Sequence, residues 1–133
     1  MLFRSLTRIS VFLSIFEVHI VRAPVAGRIV SSTYVPGAFL NAELDKASEE
    51  NERRALVIAT AGGAEIGVVQ IAGAMARRIV CRVKRGDALA RGERFGLIMF
   101  GSRTDTYLPK GCRVEVKEGQ RVKGGETILG RIL

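Results

Sequence analysis

The sequence is poor in the residues from which metal, redox and nucleic-acid sites are usually built. Its 133 residues include no tryptophan, one histidine, two cysteines and 6% aromatic residues. Cys81 and Cys112 stand in no metal-binding or redox spacing, and a single histidine argues against a zinc site. So few aromatics cannot form the aromatic and basic platform of single-strand binders, and no nucleic-acid motif is present. We therefore expect no metal and no nucleic-acid partner, and a cytoplasmic setting.

A long hydrophobic run is also missing. The apolar N-terminus, Met1 to Phe16, is too short and too charged to span a bilayer, and no signal-peptide cleavage site follows it. Its apolar residues fall near one helical face, as in a helix that lies on a membrane surface. Ile9, Val11 and Leu13 also alternate with their neighbours as in a buried strand. We favour the strand.

Positive charge is what the sequence has in excess. Lysine and arginine number 21 against 13 aspartate and glutamate residues, which gives a net charge of +8. The basic residues stand singly among apolar ones, a distribution that favours an anionic membrane surface over nucleic acid as the partner.

Short apolar and β-branched runs, separated by glycine, proline or charged clusters, predict one all-β domain over residues 1–133, a barrel or sandwich. The predicted strands are Ile9–Leu13, Val18–Val21, Arg28–Ser32, Leu56–Thr60, Ile66–Ile71, Ile79–Val83 and Phe95–Phe100. The charged stretch Asn41–Arg54 predicts a loop or a short surface helix, with its individual charges in solvent.

An internal repeat lies in the second half. Residues 83–95 match residues 116–128 at a constant offset of 33, and both copies contain Val-Lys-x-Gly, an aliphatic residue and Gly-Glu. The pattern predicts a strand, a glycine turn and a second strand, as in lipoyl- and biotinyl-type β-domains. Neither copy offers an acceptor lysine on a hairpin tip, so a swinging-arm carrier is the weaker interpretation.

Between the two copies, Phe100-Gly101-Ser102-Arg103 closes one strand-like run, opens another and puts a hydroxyl directly after a glycine. Glycine has no Cβ to obstruct attack on its carbonyl, so the pair is a candidate self-cleavage site. A Gly-Ser pair is expected about once by chance in such a chain. Taken alone, the dipeptide favours a plain turn between strands.

Four groups of motifs follow one another along the chain. They are VHIVRAPVAG (18–27), FLNA with DKASEENER (39–42 and 45–53), VQIAG with ARRIV (69–73 and 76–80), and RGERFG with FGSR (91–96 and 100–103). Together, from about Arg8 to the C-terminus, they resemble the short form of the phosphatidylserine decarboxylase family.

The resemblance implies a proenzyme that cuts its own chain into a β chain, 1–101, and an α chain, 102–133. The Ser102 hydroxyl would attack the Gly101 carbonyl, and residue 102 would become a pyruvoyl group, the covalent cofactor. The pyruvoyl ketone would accept the electrons released with carbon dioxide. The expected reaction turns phosphatidylserine into phosphatidylethanolamine at the cytoplasmic face of the membrane, with the protein bound peripherally.

The resemblance also implies roles for five further side chains. His19, with an unperturbed pKa near neutrality, is the candidate for returning a proton to the α carbon, or else is a structural histidine. Arg22, Arg77 and Arg78 are candidates for binding phosphate or carboxylate, or else are surface charges. Gln70 must find hydrogen bonds if buried and is a candidate for lining the site.

Family members begin further upstream, with an Ala-Asp-Gly strand whose aspartate orients the histidine, and the printed sequence starts after such a segment. Glu17 is a candidate substitute. Missing strands would leave unpaired edges, which favour homo-oligomers. Two other interpretations stay open: a lipoyl-like β-domain that binds lipid or a protein and never matures, and a decarboxylase of an archaeal-type serine lipid.

Overall fold

The computed structural model describes residues 7–13, 20–39, 41–42, 47–73, 79–98, 102–123 and 127–132. These ranges contain eleven strands and one short helix. In chain order they are β1 Thr7–Leu13, β2 Ile20–Arg22, β3 Gly27–Val35, α1 Ala47–Glu50, β4 Arg53–Ala59, β5 Glu65–Ile71, β6 Ile79–Cys81, β7 Ala88–Leu89, β8 Arg94–Ile98, β9 Ser102–Leu108, β10 Arg113–Val114 and β11 Gly130–Arg131. The prediction of a mainly β fold is confirmed.

A six-stranded antiparallel sheet holds the longest strands, in the order β1-β9-β5-β4-β3-β7. Within it, β9 lies between β1 and β5, with Ser102 opposite Leu13 and Arg103 opposite Ile71. Side chains alternate between the two faces of a strand. Residues 102, 104, 106 and 108 of β9 therefore share one face with residues 66, 68 and 70 of β5.

The main core lies between this face and a three-stranded sheet of order β2-β8-β6. It joins buried residues of the large sheet to buried residues of the small one. Its members include Ile9, Ile29, Leu56, Ile58, Ile66, Val68 and Leu108 from the first, and Val21, Phe95 and Ile98 from the second. The face of β9 that carries residues 102, 104, 106 and 108 is thus covered by the small sheet.

A second, smaller cluster covers the opposite face of the large sheet. Ala47, Val69 and Ile71 form it, with Ala55 and Tyr107 packed against them. Strand β5 is consequently buried on both faces, which explains its nearly unbroken apolar sequence.

The stretch Asn41–Arg54 is the cover of this second cluster. It contains the short helix α1, as the sequence allowed, but Ala42, Ala47 and Asn51 are completely buried. Asn51 also donates from Nδ2 to the Ala72 carbonyl at 2.8 Å. These three residues are uncharged, so they do not test the prediction that the charges of the stretch are solvated; they are the small residues that face the sheet.

Strand β1 settles the two interpretations of the N-terminus for the part described. Thr7–Leu13 is extended and pairs with β9 along its whole length. Ile9 is buried, Val11 and Leu13 pack against the main core, and Phe12 on the other face is exposed. The strand prediction is confirmed here. Residues 1–6 and 14–19 lie outside the described ranges.

The two repeat copies form the same turn. Lys84 N donates to Asp87 Oδ2 at 2.9 Å, and Asp87 N donates back to Lys84 O at 3.0 Å. Thirty-three residues later, Lys117 N donates to Gln120 Oε1 and Gln120 N to Lys117 O, both at 3.1 Å. The third residue of each turn is a glycine with left-handed φ, 96° at Gly86 and 80° in the second copy. The likeness to lipoyl and biotinyl domains stays a prediction.

Candidate functional site

Ser102 is the first residue of β9 and is completely buried. Its register opposite Leu13 and the alternation of β9 turn its side chain toward the space between the two sheets. Thr104 and Thr106 follow it on the same face, so a line of hydroxyls enters an otherwise apolar core. A buried hydroxyl is shielded from water, and electrostatic interactions around it are stronger than in solvent.

The residue after Ser102 is anchored on the other face of β9. Arg103 Nε lies 3.0 Å from Asp105 Oδ1, and the guanidinium also donates from NH2 to Oδ2 at 3.3 Å. Its NH1 donates to the Ala42 carbonyl at 2.8 Å. Arg103 is 4% exposed and Asp105 is fully buried. The pair therefore fixes the part of β9 that directly follows Ser102. The bond to the Ala42 carbonyl ties this part of β9 to the segment that precedes α1.

Tyr107 continues this face of β9. Burial is the main cause that raises its pKa above the ordinary 10.0, and the charge of Asp105 adds to the effect. The phenol therefore stays protonated near neutral pH and is not a candidate general base.

Gln70 lies on the same face as Ser102, in the neighbouring strand β5. It is opposite Thr104, so Ser102 is its diagonal neighbour, about 7–8 Å away between Cα atoms. The side chain is 1% exposed, and Nε2 donates to the Val80 carbonyl of β6 at 3.1 Å. Its Oε1 accepts no hydrogen bond from the described residues. The structure thus places Gln70 and Ser102 as diagonal neighbours on one face, and the role of Gln70 in lining the site stays a prediction.

His19, Gly101, Arg77 and Arg78 lie outside the described residues, and their roles stay predictions. His19 directly precedes β2, and Gly101 follows β8 in the sequence. These two strands are neighbours, because Ile20, the first residue of β2, pairs with Leu97 near the end of β8. The start of β2 and the strand that leads toward the Gly-Ser junction therefore lie side by side.

Arg22 lies at the other end of β2. It pairs with Arg94 at the start of β8, and its NH1 donates to the Gly92 carbonyl at 3.0 Å. Arg94 is separated from Ile98, the end of β8 nearer the junction, by about 13 Å of strand. Arg22 supports the turn before β8, and the structure does not bring it to Ser102.

Two pairs of charged residues escaped the sequence reasoning. Arg103 and Asp105 are two apart on a strand and so share a face, a spacing that could have revealed their pairing. Arg82 and Arg94 border a pocket of about 160 Å³ on the small sheet, together with Ile20, Phe95, Gly96 and Leu97. No pattern distinguishes these two arginines from the other scattered basic residues.

Within the described ranges, no three side chains of histidine, cysteine, aspartate or glutamate cluster as metal ligands do. Cys81 and Cys112 are half-buried free thiols. No helix in the described part of the chain has the length and apolar character needed to cross a membrane.

Comparison with known proteins gives one consistent family. The family model described as phosphatidylserine decarboxylase matches residues 1–130. Three curated relatives are phosphatidylserine decarboxylase proenzymes. The one from Erythrobacter litoralis is 58% identical, and the match covers 96% of this chain and 51% of the relative. The one from Ruegeria pomeroyi is 59% identical over 95% of this chain and 58% of the relative, and the one from Azorhizobium caulinodans is 61% identical over 93% of this chain and 53% of the relative. The chain spans about half the length of these relatives. No solved structure matches it.

Proposed function

The chain belongs to the phosphatidylserine decarboxylase family, and from that membership we propose that it cuts itself at Gly101-Ser102 and then decarboxylates phosphatidylserine to phosphatidylethanolamine. The observation that supports this best is the position of Ser102. It is a completely buried serine at the first position of a central strand, directly after a glycine, on the face between two sheets.

The cleavage step balances without any added reagent except water. Ser102 Oγ forms an ester with the Gly101 carbonyl carbon as the peptide bond between the two residues breaks. Elimination then releases residues 1–101 with a terminal carboxylate and leaves dehydroalanine at position 102. Hydrolysis of the dehydroalanine gives the pyruvoyl group and ammonia. The Arg103 and Asp105 pair would keep the start of β9 in register throughout, because it holds the neighbouring residue from the opposite face.

The residues around Ser102 fit a pyruvoyl group. The group would be made from the atoms of Ser102 itself, so it needs no new space at the start of β9. When formed, the ketone supplies a sink for the electrons released with carbon dioxide. The small sheet covers this face and excludes water from it.

The remaining predicted roles fall to basic side chains. His19 would return the proton to the α carbon of the product. Arg77 and Arg78 would bind the phosphate or carboxylate of the substrate, whereas Arg22, also predicted for this role, supports the turn before β8. Arg82 and Arg94 add two guanidinium groups at the pocket on the small sheet.

We also propose that the protein works peripherally at the cytoplasmic face of an anionic membrane. The substrate is a lipid, and the net charge of +8 favours a surface of acidic headgroups.

Intact mass spectrometry of the purified protein tests the cleavage. We expect two chains, one that ends at Gly101 and one that begins at a pyruvoyl-blocked residue 102. Ser102→Ala should remain one chain, because the nucleophile is gone.

Ser10→Ala is the matched control, since Ser10 is an exposed serine on β1, the strand paired with β9. It should be cut like the unchanged protein. A stable, folded and uncut wild-type chain would overturn the proposal and favour a β-domain that binds lipid or a partner without maturing.

A further inference from the structure

Gln70 has a buried hydrogen-bond acceptor that no described residue uses. The side chain is 1% exposed, and its Oε1 receives no donor from the described residues. A buried polar atom of this kind costs free energy unless a partner satisfies it. An acceptor retained at such a place is therefore expected to serve a ligand.

The orientation of the Gln70 amide is fixed by its surroundings. Its other end lies 3.1 Å from the Val80 carbonyl, which can only accept, so that end must be the donating NH2 group. Gly96 of β8 gives the amide its room, because a Cβ there would lie 2.7 Å from Nε2 and would also clash with Val80 O. A flipped amide would place Oε1 against the Val80 carbonyl, which has no hydrogen to donate, so Oε1 cannot gain a hydrogen bond there.

The free oxygen belongs to the same face as Ser102. Gln70 is diagonal to Ser102 across the β5–β9 pair, within the reach of a long side chain. A small group held at Ser102 would therefore lie within reach of the Gln70 oxygen.

An uncharged acceptor suits one chemical group in particular. An amine that must react with a ketone has to lose a proton first. A carboxylate beside it would stabilise the ammonium and oppose that loss, whereas a neutral amide oxygen orients the N–H without a full opposing charge.

We propose that Gln70 Oε1 accepts a hydrogen bond from the amino group of the ligand at the Ser102 site, so that this site selects a headgroup with a primary amine. The inference rests on the proposed function for the nature of the ligand. It does not need self-cleavage, because the acceptor is already in place in the uncut chain.

The test uses full-length Ser102→Ala protein, which cannot form a pyruvoyl group. Two soluble probes are titrated by calorimetry: glycerophosphoserine, and the analogue in which hydrogen replaces its amino group. Gln70→Met, which keeps the volume of the side chain, should weaken glycerophosphoserine binding by about 10- to 100-fold, the value of one hydrogen bond to a charged group. Binding of the analogue should change less than about twofold.

Gln70→Glu tests the same acceptor without loss of polar shape. In its protonated form the carboxyl group can donate to the Val80 carbonyl, as the amide does, and still present an oxygen to the amine, so we expect it to keep the preference for glycerophosphoserine. Gln120→Met, in an exposed turn, is the matched control and should leave both affinities unchanged.

Three results would overturn the proposal. They are an equal loss of both probes in Gln70→Met, loss of the amine preference in Gln70→Glu, and no binding of glycerophosphoserine by Ser102→Ala protein. Failure of the proposed function appears elsewhere, as an uncut wild-type chain, so the two outcomes can be told apart.

Discussion

At the residue scale, the most consequential contact is the ion pair behind Ser102. Arg103 and Asp105 are both almost fully buried, and each has its charge met within the fold. A buried pair contributes little net stability over an apolar pair of the same shape, yet breaking it leaves an uncompensated charge. Its value here is positional, since it holds the backbone next to Ser102.

We predict that Asp105→Asn destabilises the protein by about 3–5 kcal/mol, because the Arg103 charge would stay buried without its counter-ion. The measurement is urea unfolding in the Ser102→Ala background, where every variant remains a single chain. Replacing both partners with apolar residues should recover part of the loss.

Glu115→Gln provides the comparison for an exposed ion pair. Glu115 lies 2.7 Å from Arg113 Nε and 3.3 Å from Arg131 Nε at the surface, and these contacts lower its carboxyl pKa. Its loss should hardly move the unfolding midpoint. A midpoint for Asp105→Asn equal to that of Glu115→Gln would refute the role assigned to the buried pair.

At the element scale, strands with apolar or alternating sequences could be predicted with their bounds, whereas the strand that begins at Ser102 was expected only as a run opened by the Gly-Ser pair. All seven predicted strands overlap an observed one, because their apolar or alternating residues face a core. Strand β9 is missing from that set. Its sequence, SRTDTYL, is polar, since the face toward the small sheet holds Ser102 and two threonines and the opposite face holds the buried ion pair.

Local sequence context also determined which residues of the candidate site could be recognised from the sequence. Ser102 was found by its neighbours in sequence, and Gln70 by its polarity within an apolar run. The burial of the Arg103 and Asp105 pair follows only if β9 is a strand covered on both faces. A polar sequence such as that of β9 does not indicate such burial.

The contact between the two sheets gives a prediction for Gly96. Gly96→Ala would force a Cβ against Val80 O of the neighbouring strand β6 and against Gln70 Nε2 of the large sheet, so β8 must shift away from both. We expect a loss of about 1–3 kcal/mol in unfolding free energy, the usual cost of overpacking. Chemical denaturation in the Ser102→Ala background measures it.

Gly62→Ala is the matched control, because a Cβ at Gly62 would meet no atom within 4 Å. It should change the unfolding free energy by less than about 0.5 kcal/mol. If both alanine variants behaved alike, close packing of the sheets at Gly96 would be disproved.

At the scale of the whole molecule, the net charge of +8 acts through particular positions. Arg82 and Arg94 lie together at the pocket of the small sheet, whereas Arg113 and Arg131 both approach Glu115 at the β10–β11 pair. A negatively charged surface should therefore be bound mainly through the first pair.

We predict that neutralising Arg82 and Arg94 together with glutamine lowers the affinity for anionic vesicles by about tenfold or more. Co-sedimentation with vesicles of phosphatidylcholine and phosphatidylglycerol measures this. Binding of the unchanged protein should weaken as salt is raised.

The double variant with glutamine at Arg113 and Arg131 is the control with the same change in charge. It should bind more tightly than the Arg82 and Arg94 variant. Equal losses would mean that the total charge, and not the small sheet, determines binding.

The place of β9 between β1 and β5 has a consequence for a molecule cut before Ser102. Residues 1–101 would supply β1 to β8, and residues 102–133 would supply β9 to β11. Residues 102–133 would then be held in place by β9, which is hydrogen-bonded along both edges to strands of residues 1–101. Such a molecule folds once as a unimolecular event and afterwards persists as an assembly of two chains. Its re-formation after unfolding would follow second-order kinetics and would therefore depend on the protein concentration.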